Sequence, residues 1–80
     1  MTTQPEFDPY EIISHRLRRE IIDRLHSRPQ TSFSELMKIT GENTGSLSFH
    51  LVKLEPLIAQ NEERKYSLNA TGEKMYLIIR

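Results

Sequence analysis

Between Asn43 and Leu54 the sequence separates apolar residues from small and polar ones along one predicted helix. With Leu47 at the centre of the buried side and about 100° per residue, Leu51 and Leu54 fall beside it. The opposite side of the helix carries Gly45, Phe49, Val52 and Lys53. Ser46 and Ser48 lie on its flanks, and His50 lies at the edge of the apolar stripe. Serine and glycine disfavour helices, so this composition favours a surface that another molecule approaches closely.

These side chains fit the chemistry of the major groove of double-stranded DNA. A helix N-terminus offers backbone N–H groups to phosphate, serine and histidine can donate to base edges, and phenylalanine can contact a thymine methyl. We predict DNA contacts along this helix from Asn43, Thr44, Gly45, Ser46, Ser48, Phe49, His50 and Lys53. In the alternative interpretation the serines are ordinary surface residues, Phe49 packs against the first helix or a protein partner, and His50 is a hydrogen-bonded structural histidine.

The predicted first helix carries several arginines that could bind phosphate. Most have an acidic residue four positions away, which favours exposed ion pairs worth about 0.2–0.5 kcal/mol each. These pairs are Arg16–Glu20, Glu20–Arg24 and Arg19–Asp23. Arg18 has no acid at that spacing, so we predict that it is the arginine most available to DNA phosphate. Arg64 and Lys65, in a later polar turn, are also predicted to contact DNA.

Composition argues against several other kinds of chemistry. The 80 residues fit one domain, and eleven Lys and Arg balance eleven Asp and Glu, so we expect modest, salt-sensitive DNA affinity. The chain has no cysteine, and His15, His26 and His50 lack metal-ligand spacing. It has no nucleophile motif and no phosphate-binding loop. We therefore expect no enzyme, cofactor or bound metal, and a cytoplasmic protein without a membrane span.

The elements that would position these residues begin after a flexible arm predicted for residues 1–7. In the domain predicted for residues 8–80, Asp8 caps a first helix, Pro9 suits its first position, and Glu11 lies three residues after the cap. This helix extends to about residue 27, and the pair Ser14–His15 is where it could break. Its apolar residues recur at helical spacing and form one buried stripe.

Two helices joined by a short turn follow. Ser32 and Glu35 form an S-x-x-E capping box at the start of a short helix, which Gly41 ends. Asn43 caps the next helix, and Pro56 ends it. Two helices connected by so short a turn with a glycine in it form a helix-turn-helix unit.

A hairpin and a last helix complete the pattern. Residues 57–60 and 65–68 are strand-like and enclose a polar turn, and Asn69 can cap a helix from about residue 70 to the end. A further short strand is expected near Thr31. The predicted fold is mainly α with a small β-hairpin. Its order of helix, helix, helix, hairpin and helix is that of a winged helix-turn-helix.

The last predicted helix is apolar on two sides, with Met75, Ile78 and Ile79 on one and Tyr76 and Leu77 on the other. A helix of this kind must bury both sides. One side can cover the domain core, while the other suggests a partner helix. We therefore predict a homodimer whose interface includes Met75, Tyr76, Ile78 and Ile79. The alternatives are a frayed helix or one covered by a further segment of a longer chain.

Three stretches resemble the ArsR-like winged helix-turn-helix regulators, especially archaeal ones. They are residues 32–37 with 45–55 (SFSELM and GSLSFHLVKLE), residues 14–22 (SHRLRREII) and residues 65–72 (KYSLNATG). The resemblance implies a homodimeric transcriptional regulator whose helix at residues 43–54 enters the major groove. It also implies that the wing at residues 61–65 contacts the DNA backbone or minor groove. The first and last helices would supply the dimer face, which adds Tyr10 and Ile13 to the predicted interface.

The chain departs from this family pattern in ways that leave a second function open. Arg16 stands where the family often has proline, Ser46 where asparagine is frequent, and Glu62 and Glu63 oppose a contact between wing and phosphate. Metal-sensing members use cysteines, so a thiolate sensor is excluded. The first hypothesis is a sequence-specific DNA-binding transcriptional regulator. The alternatives are a winged-helix protein–protein interaction module without DNA binding, and a domain of a larger membrane-linked or ligand-sensing protein.

Overall fold

The computed structural model describes residues 9–80, so the predicted arm at residues 1–7 and the predicted cap at Asp8 lie outside the described residues. Within that range the chain forms helices and one antiparallel pair of strands. The helices are α1 (Pro9–Ile13), α2 (Arg16–Ser27), α3 (Phe33–Thr40), α4 (Thr44–Lys53) and α5 (Ala70–Ile79), and the strands are β1 (Ile58–Gln60) and β2 (Tyr66–Leu68). This order confirms the mainly α, winged helix-turn-helix fold.

The break that the sequence allowed at Ser14–His15 separates α1 from α2. The Ser14 hydroxyl donates to the carbonyl of Glu11 at 2.7 Å, at the end of α1. His15 has extended backbone, and its Nδ1 accepts from the N–H of Leu17 at 3.1 Å, so His15 caps α2. Because the chain bends here, α1 packs against both α2 and α5.

The helix-turn-helix unit has both of its predicted caps. Ser32 Oγ accepts from the N–H of Glu35 at 3.1 Å, and Glu35 Oε1 accepts from the N–H of Ser32 at 3.0 Å. α3 ends at Gly41, whose φ of 73° is the left-handed conformation that glycine adopts without steric penalty. Asn43 Oδ1 then accepts from the N–H of Ser46 at 2.8 Å and starts α4.

The hairpin is shorter than the sequence predicted. Its paired residues are Ile58 with Leu68, Ala59 with Ser67, and Gln60 with Tyr66. Leu57 does not begin the first strand as expected, because it ends a 3-10 turn (Glu55–Leu57) that buries its side chain. Lys65 likewise lies before the second strand. Thr31 forms an antiparallel bridge with Tyr66, which confirms the expected short strand.

Asn69 and Gly72 hold α5 close to the hairpin. Asn69 Oδ1 accepts from the N–H of Gly72 at 2.8 Å, and Asn69 Nδ2 donates to the carbonyl of Pro56 at 3.0 Å. A Cβ added to Gly72 would collide with the carbonyl oxygen of Leu57 and lie 3.0 Å from Leu68 Cδ2. Glycine at this position therefore permits the close approach of α5 to the 3-10 turn.

The core draws side chains from α2, α3, α4 and the 3-10 turn, with α5 covering it. Its fully buried side chains are Ile21, Ile22, Leu25, Leu36, Leu47, Leu54 and Leu57. The apolar stripe predicted for residues 43–54 is thus confirmed. Met75 also belongs to this core, with 5% of its surface exposed. Its assignment to a dimer interface is wrong, because α5 turns this side chain toward its own domain.

Candidate nucleic-acid interface

α4 presents an exposed surface on the side opposite the core. Phe49 is 54% exposed and Val52 66%, and Ser48 and Lys53 are exposed as well. Lys53 Nζ lies 5.6 Å from the centroid of the Phe49 ring, a distance at which a cation and an aromatic face attract. The outward side predicted from helical spacing is therefore the outward side in the fold, and it combines small, apolar and basic groups.

The N-terminal end of α4 is also open, since Asn43, Thr44 and Gly45 are exposed. The half-buried Ser46 differs, because its hydroxyl donates to Glu42 Oε1 at 2.6 Å. A DNA contact through that hydroxyl would have to replace a charge-assisted hydrogen bond. Glu42 also brings negative charge to the end of the helix where a phosphate would approach. At this end of α4, Thr44 and Gly45 are therefore better placed than Ser46 to contact a DNA phosphate.

Gly45 has no internal reason to be glycine. Its backbone does not have a positive φ, and an added Cβ would meet only Asn43 Oδ1, at an ordinary contact distance of 3.7 Å. A glycine in the middle of a helix costs about 0.5–1 kcal/mol relative to alanine, and Gly45, as the second residue of α4, has a smaller cost of the same sign. The fold does not explain that cost, whereas close approach of another molecule to this side of α4 would.

Arg18 and His50 were both predicted to contact DNA, but the fold buries them. Each is 6% exposed, and Arg18 Nε donates to His50 Nδ1 at 3.3 Å. Arg18 Nη1 also donates to the carbonyl of Ile12 at 3.4 Å and lies 3.7 Å from Glu11 Oε2. The prediction that Arg18 is available to phosphate is wrong, because α1 and His50 of α4 enclose its guanidinium group. For His50 the alternative of a structural histidine describes its surroundings.

The surroundings of His50 favour its neutral form. Burial lowers the pKa of its imidazole, the positive charges of His15 and Arg18 lower it further, and Glu42 opposes them. The ring centroids of His15 and His50 lie 4.4 Å apart. A neutral His50 can accept the Arg18 hydrogen bond through Nδ1, so this side chain contributes a polar contact between α2 and α4.

Other arginines of α2 also make contacts within the domain. The predicted pair of Arg16 and Glu20 is confirmed, with Nε and Oε2 separated by 3.3 Å. The Arg16 side chain is 84% exposed, so the pair contributes little stability. Arg19 Nη1 donates to the carbonyl of Ile13 at 2.7 Å and joins α2 to α1. Sequence spacing alone could not show this contact, since it depends on the bend between the two helices.

The wing is a tight turn organised by Asn61. Asn61 Oδ1 accepts from the N–H groups of both Glu63 and Lys65 at 2.9 Å. Arg64 is exposed and has a φ of 64°, a left-handed conformation that is unfavourable for a residue with a side chain. Lys65 Nζ lies 3.9 Å from Glu63 Oε1. Of the two predicted wing cations, Arg64 is the more accessible.

A groove of about 410 Å³ separates α4 from the hairpin, and the sequence did not predict it. Its apolar lining comes from α3, α4 and both strands. The lining residues are Phe33, Ser48, Leu51, Val52, Glu55, Ile58, Ala59, Gln60 and Tyr66. The signal in the sequence was Val52, an apolar residue on the outward side of α4, which indicated that an apolar surface lies nearby.

The residues predicted for a dimer interface have different surroundings. Tyr10 is 70% exposed and Ile78 56%, while Ile13 and Ile79 are half-buried. Tyr76 is half-buried and stacks on His26 of its own chain. Leu77, which was not included in the predicted interface, is 59% exposed. The exposed apolar surface of α1 and α5 therefore includes Leu77 and excludes Met75.

Comparison with known families places this fold in a defined group. Residues 6–79 match a family described as a domain of unknown function, DUF7347. The chain belongs to this family. No curated protein and no solved structure matches it significantly.

Residues 9–80 of this member of the DUF7347 family have two further features. No helix in that range is long and apolar enough to cross a membrane. The same residues contain no group of three or more His, Cys, Asp or Glu side chains placed to hold a metal ion.

Proposed function

We propose that the domain is a sequence-specific, double-stranded-DNA-binding transcriptional regulator that acts as a homodimer in the cytoplasm. In this proposal α4 is the recognition helix in the major groove, and the hairpin is the wing. The observation that carries it is the exposed side of α4, where Gly45 costs helix stability without any steric need. The arrangement of α3, α4 and the hairpin supports it, since a helix-turn-helix places its second helix against base edges.

The charges of the candidate surface lead to a specific expectation about affinity. Lys53 and Arg64 are the exposed cations of α4 and of the wing tip, while Glu42 and Glu55 lie at the two ends of α4. Each phosphate contact releases counterions, so affinity falls steeply with salt. With so few cations per chain, we expect useful affinity only when two copies bind neighbouring half-sites.

The direct test selects bound DNA from a random duplex pool and measures affinity by fluorescence anisotropy at several salt concentrations. Lys53→Ala is expected to weaken binding about tenfold and to lower the salt dependence by about one phosphate contact per subunit. The matched control is Lys74→Ala, which removes an exposed lysine of α5. Equal effects of the two substitutions, or no selection of any duplex, would contradict the proposal.

The dimer proposed here uses the apolar surface of α1 and α5, centred on Leu77 and Ile78. Ile78→Glu is expected to convert dimers into monomers, because it places a charge inside the apolar contact. Ile39→Glu is the matched control, since Ile39 is also an exposed isoleucine, 42% accessible, but lies on α3. Sedimentation equilibrium measures the outcome, and a wild-type chain that is monomeric at all concentrations would rule the dimer out.

A protein-interaction module is the second candidate, and the groove beside α4 favours it. Val52 is exposed and lines this groove together with apolar side chains such as Leu51 and Ile58, and Phe49 is exposed on the same helix. In that case Phe49→Ala would abolish capture of a protein partner by the purified domain, while no duplex would bind even at low salt. The selection experiment separates the two functions, since only the first predicts enriched DNA sequences.

A further inference from the structure

A buried polar cluster joins the N-terminal helices to the proposed recognition helix. The guanidinium of Arg18 is enclosed between α1 and α4, with 7% of its side chain exposed. Arginine is almost never buried unless it is paired, and its usual partner is a carboxylate. Here Arg18 Nε donates to the neutral imidazole of His50 at 3.3 Å, while the carboxylate of Glu11 lies 3.7 Å from Nη1.

The charged and titratable groups that face His50 come from several elements. His15 and Arg18 belong to the start of α2, and Glu42 precedes α4. Glu11 approaches the cluster from α1 through Arg18. The Glu42 carboxylate already accepts a hydrogen bond from the Ser46 hydroxyl, whereas the His15 ring lies 4.4 Å from that of His50. A proton added to His50 would therefore enter a buried site beside the Arg18 cation and the His15 ring.

We propose that Arg18 and His50 form a proton-sensitive link that positions α4. Neutral His50 fixes the position of α4 on α2 through Arg18, and protonation of His50 breaks this bond, shifts α4 and lowers its affinity for DNA. The effect on DNA rests on the function proposed above, whereas the effect on α4 does not. Arg18 and His50 are positioning residues in this arrangement, since both are buried and act through the helix that they hold.

The link responds to pH because its hydrogen bond, from Arg18 Nε to His50 Nδ1, has room for only one proton. Arg18 can only donate, so Nδ1 of His50 must be unprotonated to accept. Protonation turns Nδ1 into a second donor that faces the first and adds a like charge beside a buried cation. The two donors cannot share one hydrogen bond, so this polar contact between α2 and α4 is lost.

The pH range follows from the direction of the pKa shift. In the folded domain the pKa of His50 lies below its ordinary value of 6.5. Between these two values the unfolded chain therefore binds more protons than the folded domain. Stability is then complete above about pH 6.5 and falls as the pH drops through the lowered pKa. The link is closed at neutral pH and opens only as the pH falls below about 6.5, through the lowered pKa.

The test compares the wild-type domain with His50→Asn between about pH 8 and pH 5. Asparagine places its Oδ1 near the position of Nδ1, so it can accept from Arg18 but cannot take up a proton. In the wild type we expect the amide NMR signals of α4 to follow the titration of His50, and DNA affinity to fall about tenfold. In His50→Asn both pH profiles are expected to be flat.

Two further variants control for other effects of pH. His26→Asn removes a histidine that lies on the α5 side of the domain, and the amide NMR signals of α4 should keep their wild-type pH dependence in this variant. Arg18→Met replaces the cation with an apolar side chain of similar length. It should raise the pKa of His50, because a neighbouring positive charge is lost.

The outcomes separate this link from the proposed function. If His50 titration moves the α4 signals while no duplex binds at any pH, the DNA-binding function is wrong and the link stands. If His50 titrates at its ordinary pKa, or its titration leaves α4 unchanged, the link is wrong. The same conclusion follows if His50→Asn keeps the wild-type pH profile.

Discussion

His26 lies flat against Tyr76, with ring centroids 3.7 Å apart and planes inclined by 10°. His26 Nδ1 also lies 2.8 Å from Glu73 Oε1. The end of α2 is thus joined to α5 by a ring stack and a hydrogen bond at the same side chain. Because the exposed Leu77 and Ile78 follow on α5, this contact fixes the orientation of the surface proposed for dimerisation.

Removing the stack should therefore loosen α5. His26→Ala is expected to lower the free energy of unfolding by about 1 kcal/mol, since aromatic pairs contribute about 0.5–1.5 kcal/mol beyond buried area. Urea denaturation at neutral pH gives the value. In a double-mutant cycle with Tyr76→Leu we expect a coupling of about 0.5–1 kcal/mol. A coupling near zero would mean that the rings do not stabilise this contact.

Alanine should have opposite effects at two glycines of the chain. Gly45→Ala is expected to raise the free energy of unfolding by at most about 0.5 kcal/mol, because its added Cβ is accommodated and alanine favours helix, while the position lies in the first turn of α4. Gly72→Ala should lower it by roughly 1–3 kcal/mol or more, because its Cβ would collide with the carbonyl of Leu57. Chemical denaturation measures both.

DNA affinity provides the second readout for Gly45→Ala. If the glycine permits close approach to DNA, the stabilised variant should bind the selected duplex more weakly than the wild type. A variant that is more stable and binds equally well would show that the absence of a side chain at this position does not serve binding. That result would favour the alternative in which the exposed side of α4 is an ordinary solvent-exposed helix surface.

The positive φ of Arg64 predicts that a glycine there would stabilise the domain and at the same time weaken DNA binding. Arg64→Gly should raise the free energy of unfolding by about 0.5–1 kcal/mol, since relief of left-handed strain exceeds the added entropy of the unfolded chain. Binding to DNA should weaken, because the wing loses its exposed cation. Gln30→Gly is the matched control, since Gln30 has a φ of 62° but lies outside the wing. It should be stabilised without a change in affinity.

The capping box of α3 predicts acid sensitivity. The hydrogen bonds from the backbone and hydroxyl of Ser32 lower the pKa of Glu35 below its ordinary value of 4.5. A carboxyl group with a lowered folded pKa stabilises the domain above the unfolded value, and this contribution is lost as the pH falls through the lowered one. Glu35→Gln keeps a capping acceptor without the charge.

We therefore expect the free energy of unfolding of Glu35→Gln to vary less with pH below about pH 4.5 than that of the wild type. Urea denaturation between about pH 3 and pH 6 checks this expectation. The control is Glu62→Gln in the exposed wing. An equal change in both variants would assign the effect to net charge and not to the capping box.

Local signals in the sequence predicted the helix boundaries well. Ser32, Asn43 and Asn69 each cap the helix that was expected to follow, and Gly41 ends α3 in the expected conformation. Caps are predictable because the bonds that they make lie within a few residues of the cap itself. The strand bounds were less accurate, since Leu57 is drawn into the core and the 3-10 turn by contacts distant in sequence.

Site residues were predicted correctly where the spacing along one helix decides which side chains are exposed. The predictions were wrong where a second helix covers the side chain. Phe49 and Lys53 lie on the outward side of α4 as predicted. Arg18 was expected to be available because no acid lies four residues away, but its partners, Ile12 and His50, belong to other helices. Spacing within one helix carries no information about such contacts.

The sequence by itself determined the order of elements, the caps and the separation of apolar from polar residues along α4, because these depend on neighbours within one or two turns. Tertiary structure decided which polar groups remain accessible. The bend before His15 lets α1 cover Arg18, and packing of α4 on α2 turns His50 from a predicted DNA contact into the acceptor of a buried hydrogen bond. Such contacts join residues far apart in sequence, and the folded chain alone brings them together.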